Sequence, residues 1–430
     1  MKVSRSKGIK ALSPLLVFVG VYLVSSILAN DFYKIPVASA FIIAAIYALS
    51  TTKGKLSERI NVFSKGAGNR NVLLMIWIFA MAGAFANTAK EIGAVESTVN
   101  LAVGILPGNL IFAGLFLASC LVSMAMGTSV GTIVALVPIA SGIAAETGSS
   151  IPLVTAIVAG GAFFGDNLSF ISDTTIAATN SQGCRMKDKF KANLGIAAPA
   201  AVITLVIYIL LGSSVSAAPQ TSTVSWVFSL PYLLVILLSI LGMNVLGVLS
   251  LGLLSNAAIG FAYGKFSWSG FLSSMGNGIG SMGELITVTL LAGGLLEIIR
   301  YNGGLDYIIE RLTSRVKGKA GAESSIAALV SLVNVCTANN TIAIITTGDI
   351  ARDISERYGI SPKRSASILD TFSCIVQSIL PYGAQMLMAG ALAGIPVISV
   401  ISHMYYPFIL AGMAVLSILY GWIKAPRQAD

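Results

Sequence analysis

The sequence predicts an all-α polytopic membrane protein, with about 10 transmembrane helices, two re-entrant hairpins, and inverted repeats built on broken helices. Three observations carry this prediction. Of the 430 residues, 55% are apolar and only 10% are charged, whereas a soluble domain carries about 25% charged residues. Most apolar residues fall in runs of 17 or more, long enough to cross roughly 30 Å of hydrocarbon. The basic residues form short clusters between those runs.

The uninterrupted apolar runs come first among the elements, because each is long enough to be a spanning helix. They cover about 11–29, 35–50, 72–88, 192–212, 226–243, 247–263, 284–299 and 397–423. The segments 152–181 and 364–392 are also apolar, but polar residues and Gly or Pro interrupt them. We interpret 109–147 and 323–350 as re-entrant hairpins, because a polar break near the middle of each would need protein or water around its backbone.

The distribution of positive charge supports this threading, since cytoplasmic loops are enriched in Lys and Arg. With both hairpins returning to the side they entered from, 24 of the 27 basic residues fall on the cytoplasmic side together with both termini. Only Lys34, Lys90 and Lys265 fall outside. The inside clusters occupy the N-terminus, 51–70, 182–191, 300–321, 351–364 and the C-terminus.

The interrupted regions read as one unit used twice. The polar tips 127–131 and 337–341 are each followed, about 20 residues later, by a Gly and Ser–Pro-rich turn and then by a second polar break, at an offset of about 210 residues. In the threading above the two hairpins enter from opposite sides, so the repeats are inverted. Inverted repeats with paired broken helices are typical of secondary transporters, whose site lies where the breaks meet. The predicted organisation is an N-terminal helical pair and cytoplasmic loop, a first transport repeat, connecting helices, and a second transport repeat with a C-terminal helix: 1–70, 71–212, 213–300 and 301–430.

Polar residues at the breaks are the candidates for chemistry. A carboxylate in hydrocarbon costs a few kcal/mol, so it needs a partner, a proton or an ion. The densest group lies in 165–175, which supplies the carboxylate, hydroxyl, amide and carbonyl oxygens that Na⁺ accepts. Asp166 and Asp173 are seven residues apart, hence on one face if helical, and are the predicted sodium ligands. The predicted ion or substrate site comprises Asp166, Asn167, Ser169, Ser172, Asp173, Thr174, Thr128, Ser129, Asn339, Asn340, Thr341, Asp370 and Gln377.

Several of these residues have a structural alternative. Asp173 could instead cap the second half-helix, and the Ser, Thr and Asn residues of the tips could be interhelical hydrogen-bonding groups. Asp370 is either a second titrating site or a buried partner of a Ser or Asn. Glu297 lies three residues before Arg300 and favours a local ion pair. The glycine-rich stretch 276–283 favours a flexible entrance or close helix packing.

A longer motif then identifies a family. The sequence GGAFFGDNLSFISDTT at 160–175 resembles the signature of the NhaC-type sodium/proton antiporters, and the resemblance extends from about residue 70 onward. It implies a secondary active transporter that exchanges Na⁺ for H⁺ by alternating access in the bacterial inner membrane. The implied partners are the lipid bilayer, Na⁺ and H⁺, with no cofactor, and a homodimer is left open.

The chain departs from the family pattern at two positions. The family often has a basic residue where Asn167 stands and a proline where Phe170 stands, and the lost positive charge changes the local electrostatics. Relatives of this family also transport amino acids or small organic acids. Sodium- or proton-coupled transport of an amino acid or small carboxylate is therefore the alternative function.

Two other classes are disfavoured. The basic residues do not lie along one face of a domain, so no nucleic-acid partner is predicted. The four cysteines are scattered singly and there is one histidine, so neither a metal cluster nor a nucleophile motif indicates an enzyme.

Overall fold

A computed structural model describes residues 5–28, 36–105, 107–170, 172–213, 215, 226–313 and 318–421. Within these residues the regular structure consists of 21 α-helices and one 3₁₀ turn, with no strand. Eight of the helices are long and apolar enough to cross a membrane, or nine spans if one bent pair is counted together. The predicted all-α polytopic class is therefore confirmed. Lys34 and the C-terminal basic residues lie outside the described residues.

The N-terminal part contains five helices, of which only the third lacks an apolar character. They are α1 (Arg5–Leu28), α2 (Val37–Thr51), α3 (Leu56–Ala67), α4 (Arg70–Ile92) and α5 (Ala94–Ile105). Helix α1 packs on α2. Helix α3 is a short helix with a strongly sided distribution of polar residues, which hydropathy alone did not predict as an element.

The first broken unit follows, and each of its boundaries has a local cause. Its helices are α6 (Ile111–Met126), α7 (Ser129–Thr147), α8 (Ile151–Leu168) and α9 (Asp173–Gln182). Gly127 and Gly148 end α6 and α7 in the left-handed conformation, with φ of 69° and 66°, which glycine adopts without steric cost. At the start of α9, the Ser172 Oγ accepts a hydrogen bond from the Thr175 N–H at 3.2 Å.

Six helices connect the two units. They are α10 (Met186–Gly212), α11 (Trp226–Ile240), α12 (Val245–Ala262), α13 (Trp268–Ser281), α14 (Gly283–Tyr301) and α15 (Gly304–Thr313). Helix α13 packs along α4, where Gly83 and Gly278 meet so closely that a Cβ on either would lie 2.2 Å from the carbonyl oxygen of the other. Of the two interpretations of the stretch 276–283, this contact supports close helix packing at Gly278.

The second broken unit repeats the first with a constant displacement. Its helices are α16 (Gly318–Thr337), α17 (Asn340–Tyr358), α18 (Pro362–Gln377) and α19 (Ala384–Ala393). Helix α7 covers 129–147 and α17 covers 340–358, so both bounds differ by 211 residues, and the bounds of α9 and α19 differ by the same number. The predicted repeat is confirmed at this level. Its inversion across the membrane and the re-entrant depth of the tips stay predictions.

The chain ends in α20 (Val397–Ile401) and α21 (Tyr405–Tyr420), where the sequence predicted one span over 397–423. That prediction was wrong about continuity. Pro407 lies in the first turn of α21, and its ring would clash with the carbonyl of residue 403 in a continuous helix. The turn between the two helices therefore comes directly before this proline.

The two units are interlocked through their short half-helices. Helix α9 packs on α17 and α18 of the second unit, and α19 packs on α7 and α8 of the first. A large buried apolar cluster surrounds α6, α7 and α8, and a smaller one joins α9 to α16, α17 and α18. This exchange brings the tip of each unit next to the break of the other.

Candidate functional site

A central cavity of about 110 Å³ lies where both tips and both breaks meet. Helix α4 supplies one part of its wall, through Asn71, Leu74 and Met75. The broken units supply the rest, through Gly127, Thr128, Ser129, Val130, Asp166, Ser172, Asp173, Thr174, Ala338, Asn339, Asn340, Thr341, Gln377, Ala384 and Gln385. Ten of the thirteen predicted site residues are thus brought to one cavity. The other three, Asn167, Ser169 and Asp370, lie outside its lining.

Asp166 lies in the last turn of α8 and is 5% exposed. Its Oδ1 accepts the N–H of Ser129 at 2.8 Å, and its Oδ2 accepts the Ser129 hydroxyl at 2.5 Å. Ser129 is the first residue of α7, so the carboxylate sits on the positive end of that helix. A carboxylate has about four acceptor positions, which leaves capacity on Asp166 for an ion from the cavity.

The break after α8 exposes backbone carbonyls, and side chains of the protein satisfy them. The carbonyl of Asp166 accepts the hydroxyls of Ser172 and Thr174 at 2.9 and 3.2 Å. The carbonyl of Asn167 accepts the ammonium of Lys189 at 2.8 Å and the amide of Asn193 at 2.9 Å. These two carbonyls are engaged by protein donors in this structure, as a helix end inside a protein requires.

A buried ion pair lies directly behind the cavity. The Lys189 Nζ is 2.6 Å from Oδ2 of Asp370, and the two side chains are 1% and 0% exposed. Lys189 also donates to the Thr175 hydroxyl at 2.7 Å, and Asn193 donates to the same Asp370 oxygen at 2.8 Å. Together with the Asn167 carbonyl, these groups form a polar cluster that joins α8, α9 and α10 to α18.

The sequence analysis placed Lys189 in the cytoplasmic cluster 182–191, and that placement was wrong. Lys189 lies one turn inside α10, where Asp370 compensates its charge. Of the alternatives for Asp370, the structure shows a buried partner, although the charged partner is a lysine. The signal available in the sequence was the spacing of Lys189 and Asn193, four residues apart and therefore on one helix face.

The remaining predicted residues of the first break have different surroundings. The Ser169 hydroxyl donates to the carbonyl of Met124 at 2.8 Å, away from the cavity. Ser172 is the N-cap of α9, and Asp173 is an exposed residue of the first turn beside the cavity. Because α8 ends at Leu168, Asp166 and Asp173 do not share one continuous helix.

The second unit presents amides where the first presents a carboxylate. Asn339 is the N-cap of α17, and its Oδ1 accepts the N–H of Ile342 at 3.0 Å. The Gln377 Nε2 donates to the carbonyl of Ala338 at 3.1 Å and to Oε1 of Gln385 at 2.8 Å. Gln385 was not predicted, although it is the one amide in the apolar segment AQMLMAGALA.

Gln385 also joins the two units. Its Nε2 donates to the Ser129 hydroxyl at 3.3 Å, and that hydroxyl in turn donates to Asp166. A continuous chain of hydrogen bonds therefore runs from Gln377 through Gln385 and Ser129 to Asp166. This chain couples the positions of the two tips.

A second cavity of about 130 Å³ adjoins the central one and shares Asn71, Met75, Ala338, Asn339 and Ala384 with it. It extends to Gly66, Asn69, Glu297 and Arg300, which the charge distribution assigns to the cytoplasmic side. The predicted local ion pair is present, since Oε2 of Glu297 lies 3.8 Å from Arg300. The two cavities together extend from the tips toward that side.

Comparison with known proteins agrees with this architecture. The Na+/H+ antiporter family model matches residues 7–213 and 209–424. The Na(+)/H(+) antiporter NhaC of Bacillus subtilis (strain 168) is 24% identical over 396 residues, covering 83% of this chain and 85% of that protein. The malate-2H(+)/Na(+)-lactate antiporter of the same organism is 22% identical over 453 residues, covering 95% and 94%.

A further relative is the arginine/ornithine antiporter ArcD of Halobacterium salinarum, which is 23% identical over 357 residues and covers 73% of this chain and 72% of that protein. The family match spans nearly the whole chain and includes both broken units. The chain, a multi-pass membrane transporter, belongs to the Na+/H+ antiporter family.

Proposed function

We propose that this protein exchanges Na⁺ for H⁺ across the bacterial inner membrane by alternating access, and that both ions compete for Asp166. The observation that supports this most directly is the position of the Asp166 carboxylate. It is buried, lines the central cavity, and is held on the N-terminus of α7 by two hydrogen bonds from Ser129.

The chemistry follows from the cost of a buried charge. An ionised carboxylate at this depth needs a cation or must take up a proton. The Ser129 N–H and the positive end of α7 favour the ionised form, so a cation in the cavity has a preformed anion to bind. Because Na⁺ and H⁺ use the same carboxylate, each lowers the affinity of the site for the other.

Oxygen atoms for the sodium coordination shell are at hand in the cavity. Asp173 supplies a second carboxylate, and Thr128, Ser172 and Thr174 supply hydroxyl or backbone oxygens around the same space. In our proposal Asp173 is the second sodium ligand. Its exposed side chain would then be the last group to contact Na⁺ as the ion leaves.

Alternating access requires the site to move relative to a wall. Helix α4, with Asn71 and Met75, borders the central cavity opposite the broken units, and α14 borders the adjoining cavity. Movement of the two interlocked units along α4 would expose the same residues to each side in turn. We propose that the adjoining cavity is the route to the cytoplasm.

A second function is favoured by two of the relatives, which are named for organic substrates: malate and lactate in one case, and arginine and ornithine in the other. In that case Asp166 would couple Na⁺ or H⁺ to the movement of a small organic acid or amino acid. Exchange of the two ions without any organic substrate distinguishes the first function from the second.

The experiment uses purified protein in liposomes that contain a pH-sensitive dye and have an acidic interior. If the proposal is right, adding external Na⁺ alone makes the interior alkaline, and the Asp166→Asn variant gives the signal of empty liposomes. Asp349→Asn is the matched control, because Asp349 is an exposed acid on α17 outside both cavity linings. It should behave as the wild type.

Two outcomes would contradict the proposal. One is near wild-type exchange by a well-folded Asp166→Asn variant. The other is a wild-type protein that responds to Na⁺ only when an organic acid or amino acid is added, which would support the second function.

A further inference from the structure

The two units differ at one position that their repeat makes equivalent. Asp166 and Gln377 are 211 residues apart, as are Ser129 and Asn340, the first residues of α7 and α17. In the first unit the carboxylate of Asp166 occupies the tip of α7. In the second unit the corresponding side chain is an amide, and its nitrogen is committed to Ala338 and Gln385. The second tip thus keeps the geometry of a carboxylate site but has an amide at the carboxylate's position.

The second tip also has a hydrogen-bond donor that is unused within the described part of the chain. Asn340 is 5% exposed and lines the central cavity, and its Nδ2 has no hydrogen-bond partner there. The thiol of Cys374, a weak acceptor, interacts with this side chain. A buried amide donor without an oxygen acceptor is unfavourable, and an incoming acceptor would satisfy it. Helix α17 is 19 residues long, and its positive end favours an acceptor that carries negative charge.

A buried acceptor lies in the lining of the same cavity. The Oε1 of Gln377, 1% exposed, has no partner among the described residues. The cavity therefore offers one unused donor and one unused acceptor. A small acid with a carboxylate and a neighbouring O–H or N–H group would satisfy both.

We propose that the second tip binds the carboxylate of a small 2-hydroxy or 2-amino acid. The carboxylate accepts from Asn340 Nδ2 at the N-terminus of α17, and the hydroxyl or ammonium on C2 donates to Gln377 Oε1. The cavity of about 110 Å³ suits a three-carbon acid, and the adjoining cavity, which shares Ala338 and Asn339, has room for a longer side chain. This site is separate from Asp166 and holds whether or not Asp166 exchanges Na⁺ for H⁺.

The test is direct binding to the purified wild-type protein at a fixed Na⁺ concentration, measured by calorimetry. L-lactate and L-alanine are the probes for the hydroxyl and the ammonium. Propionate lacks the C2 donor, and lactamide lacks the carboxylate. We expect at least one probe to bind, and both analogues to bind at least about 10-fold more weakly, because a site built for a polar group rejects a ligand without it.

A variant then locates the site. Asn340→Asp keeps the shape, removes the donor and adds like charge, so it should weaken binding of the preferred probe by about 10-fold or more. Asn180→Asp, at an exposed amide on α9 outside the cavity, is the matched control and should bind as the wild type. Thermal unfolding checks that each variant is folded.

Absence of binding by both probes to the folded wild-type protein at millimolar concentration would overturn the inference. So would propionate or lactamide binding as tightly as the preferred probe, which needs no variant to fold. Unchanged affinity in Asn340→Asp would also overturn it. Sodium-driven proton movement without these acids tests the proposed exchange separately, so failure of one proposal leaves the other open to its own result.

Discussion

Replacing Lys189 by Met should destabilise the protein strongly, because it leaves the Asp370 carboxylate buried without its counter-ion. The two groups are 2.6 Å apart and essentially inaccessible, and Asn193 alone would remain as a donor to Asp370 Oδ2. Breaking a buried pair from one side costs about 3–5 kcal/mol. The variant also removes the ammonium that caps the Asn167 carbonyl at the end of α8.

The double replacement Lys189→Met with Asp370→Leu separates the loss of the pair from the loss of packing. Since an apolar pair of similar size is often nearly neutral, we expect it to recover about 2 kcal/mol or more relative to the single Lys189→Met variant. The assay is equilibrium unfolding in detergent micelles, followed by tryptophan fluorescence.

A nearby exposed ion pair provides the control. Arg185 Nε lies 2.8 Å from Oδ2 of Asp188, and the Arg185 side chain is 84% exposed. Exposed pairs contribute little, so Arg185→Met should leave the free energy of unfolding almost unchanged. If Lys189→Met is as stable as Arg185→Met, the structural role assigned to the buried pair is wrong.

Three further predictions test the fold and the tips. Gly83→Leu should abolish stable folding, because its Cβ meets a carbonyl oxygen at 2.2 Å, whereas Gly276→Ala should be tolerated, since no described atom lies within 4 Å of that Cβ; both are checked by yield and melting temperature. Gly127→Ala should fold with a loss of about 1 kcal/mol in unfolding free energy, because alanine at φ 69° is strained, and a loss above about 4 kcal/mol would contradict this estimate. Ser129→Ala removes one of two hydrogen bonds to Asp166, so exchange should persist with a Na⁺ affinity changed about 5- to 30-fold; an unchanged affinity would show that the hydroxyl does not influence the site.

Much of the fold follows from local features of the sequence. Apolar runs predicted the long helices, and polar breaks at a fixed offset predicted the repeat. The turn signals Gly148 and Gly359 lie 211 residues apart and end α7 and α17 in the same left-handed conformation. These features are legible because each depends on residues close in the chain.

The features that the sequence analysis missed depend on distant contacts. A lysine next to other basic residues is assigned to a loop by charge statistics, and the acid that keeps Lys189 buried lies on another helix, α18. Gln385 is a single amide in an apolar helix, and its role depends on Ser129 in the other unit. Hydropathy carries no information about either contact.

The central claim is that sodium and a proton compete for Asp166, and proton release on sodium binding measures it most directly. Purified protein is titrated with Na⁺ in a weakly buffered detergent solution while the pH is recorded, beginning at a pH where Asp166 is protonated. Linkage predicts that sodium binding releases up to about one proton per protein molecule from this site. It also predicts that the release disappears in Asp166→Asn and persists in Asp349→Asn. Sodium binding to the wild-type protein without proton release at any pH tested, or the same release from a folded Asp166→Asn variant, would contradict the account.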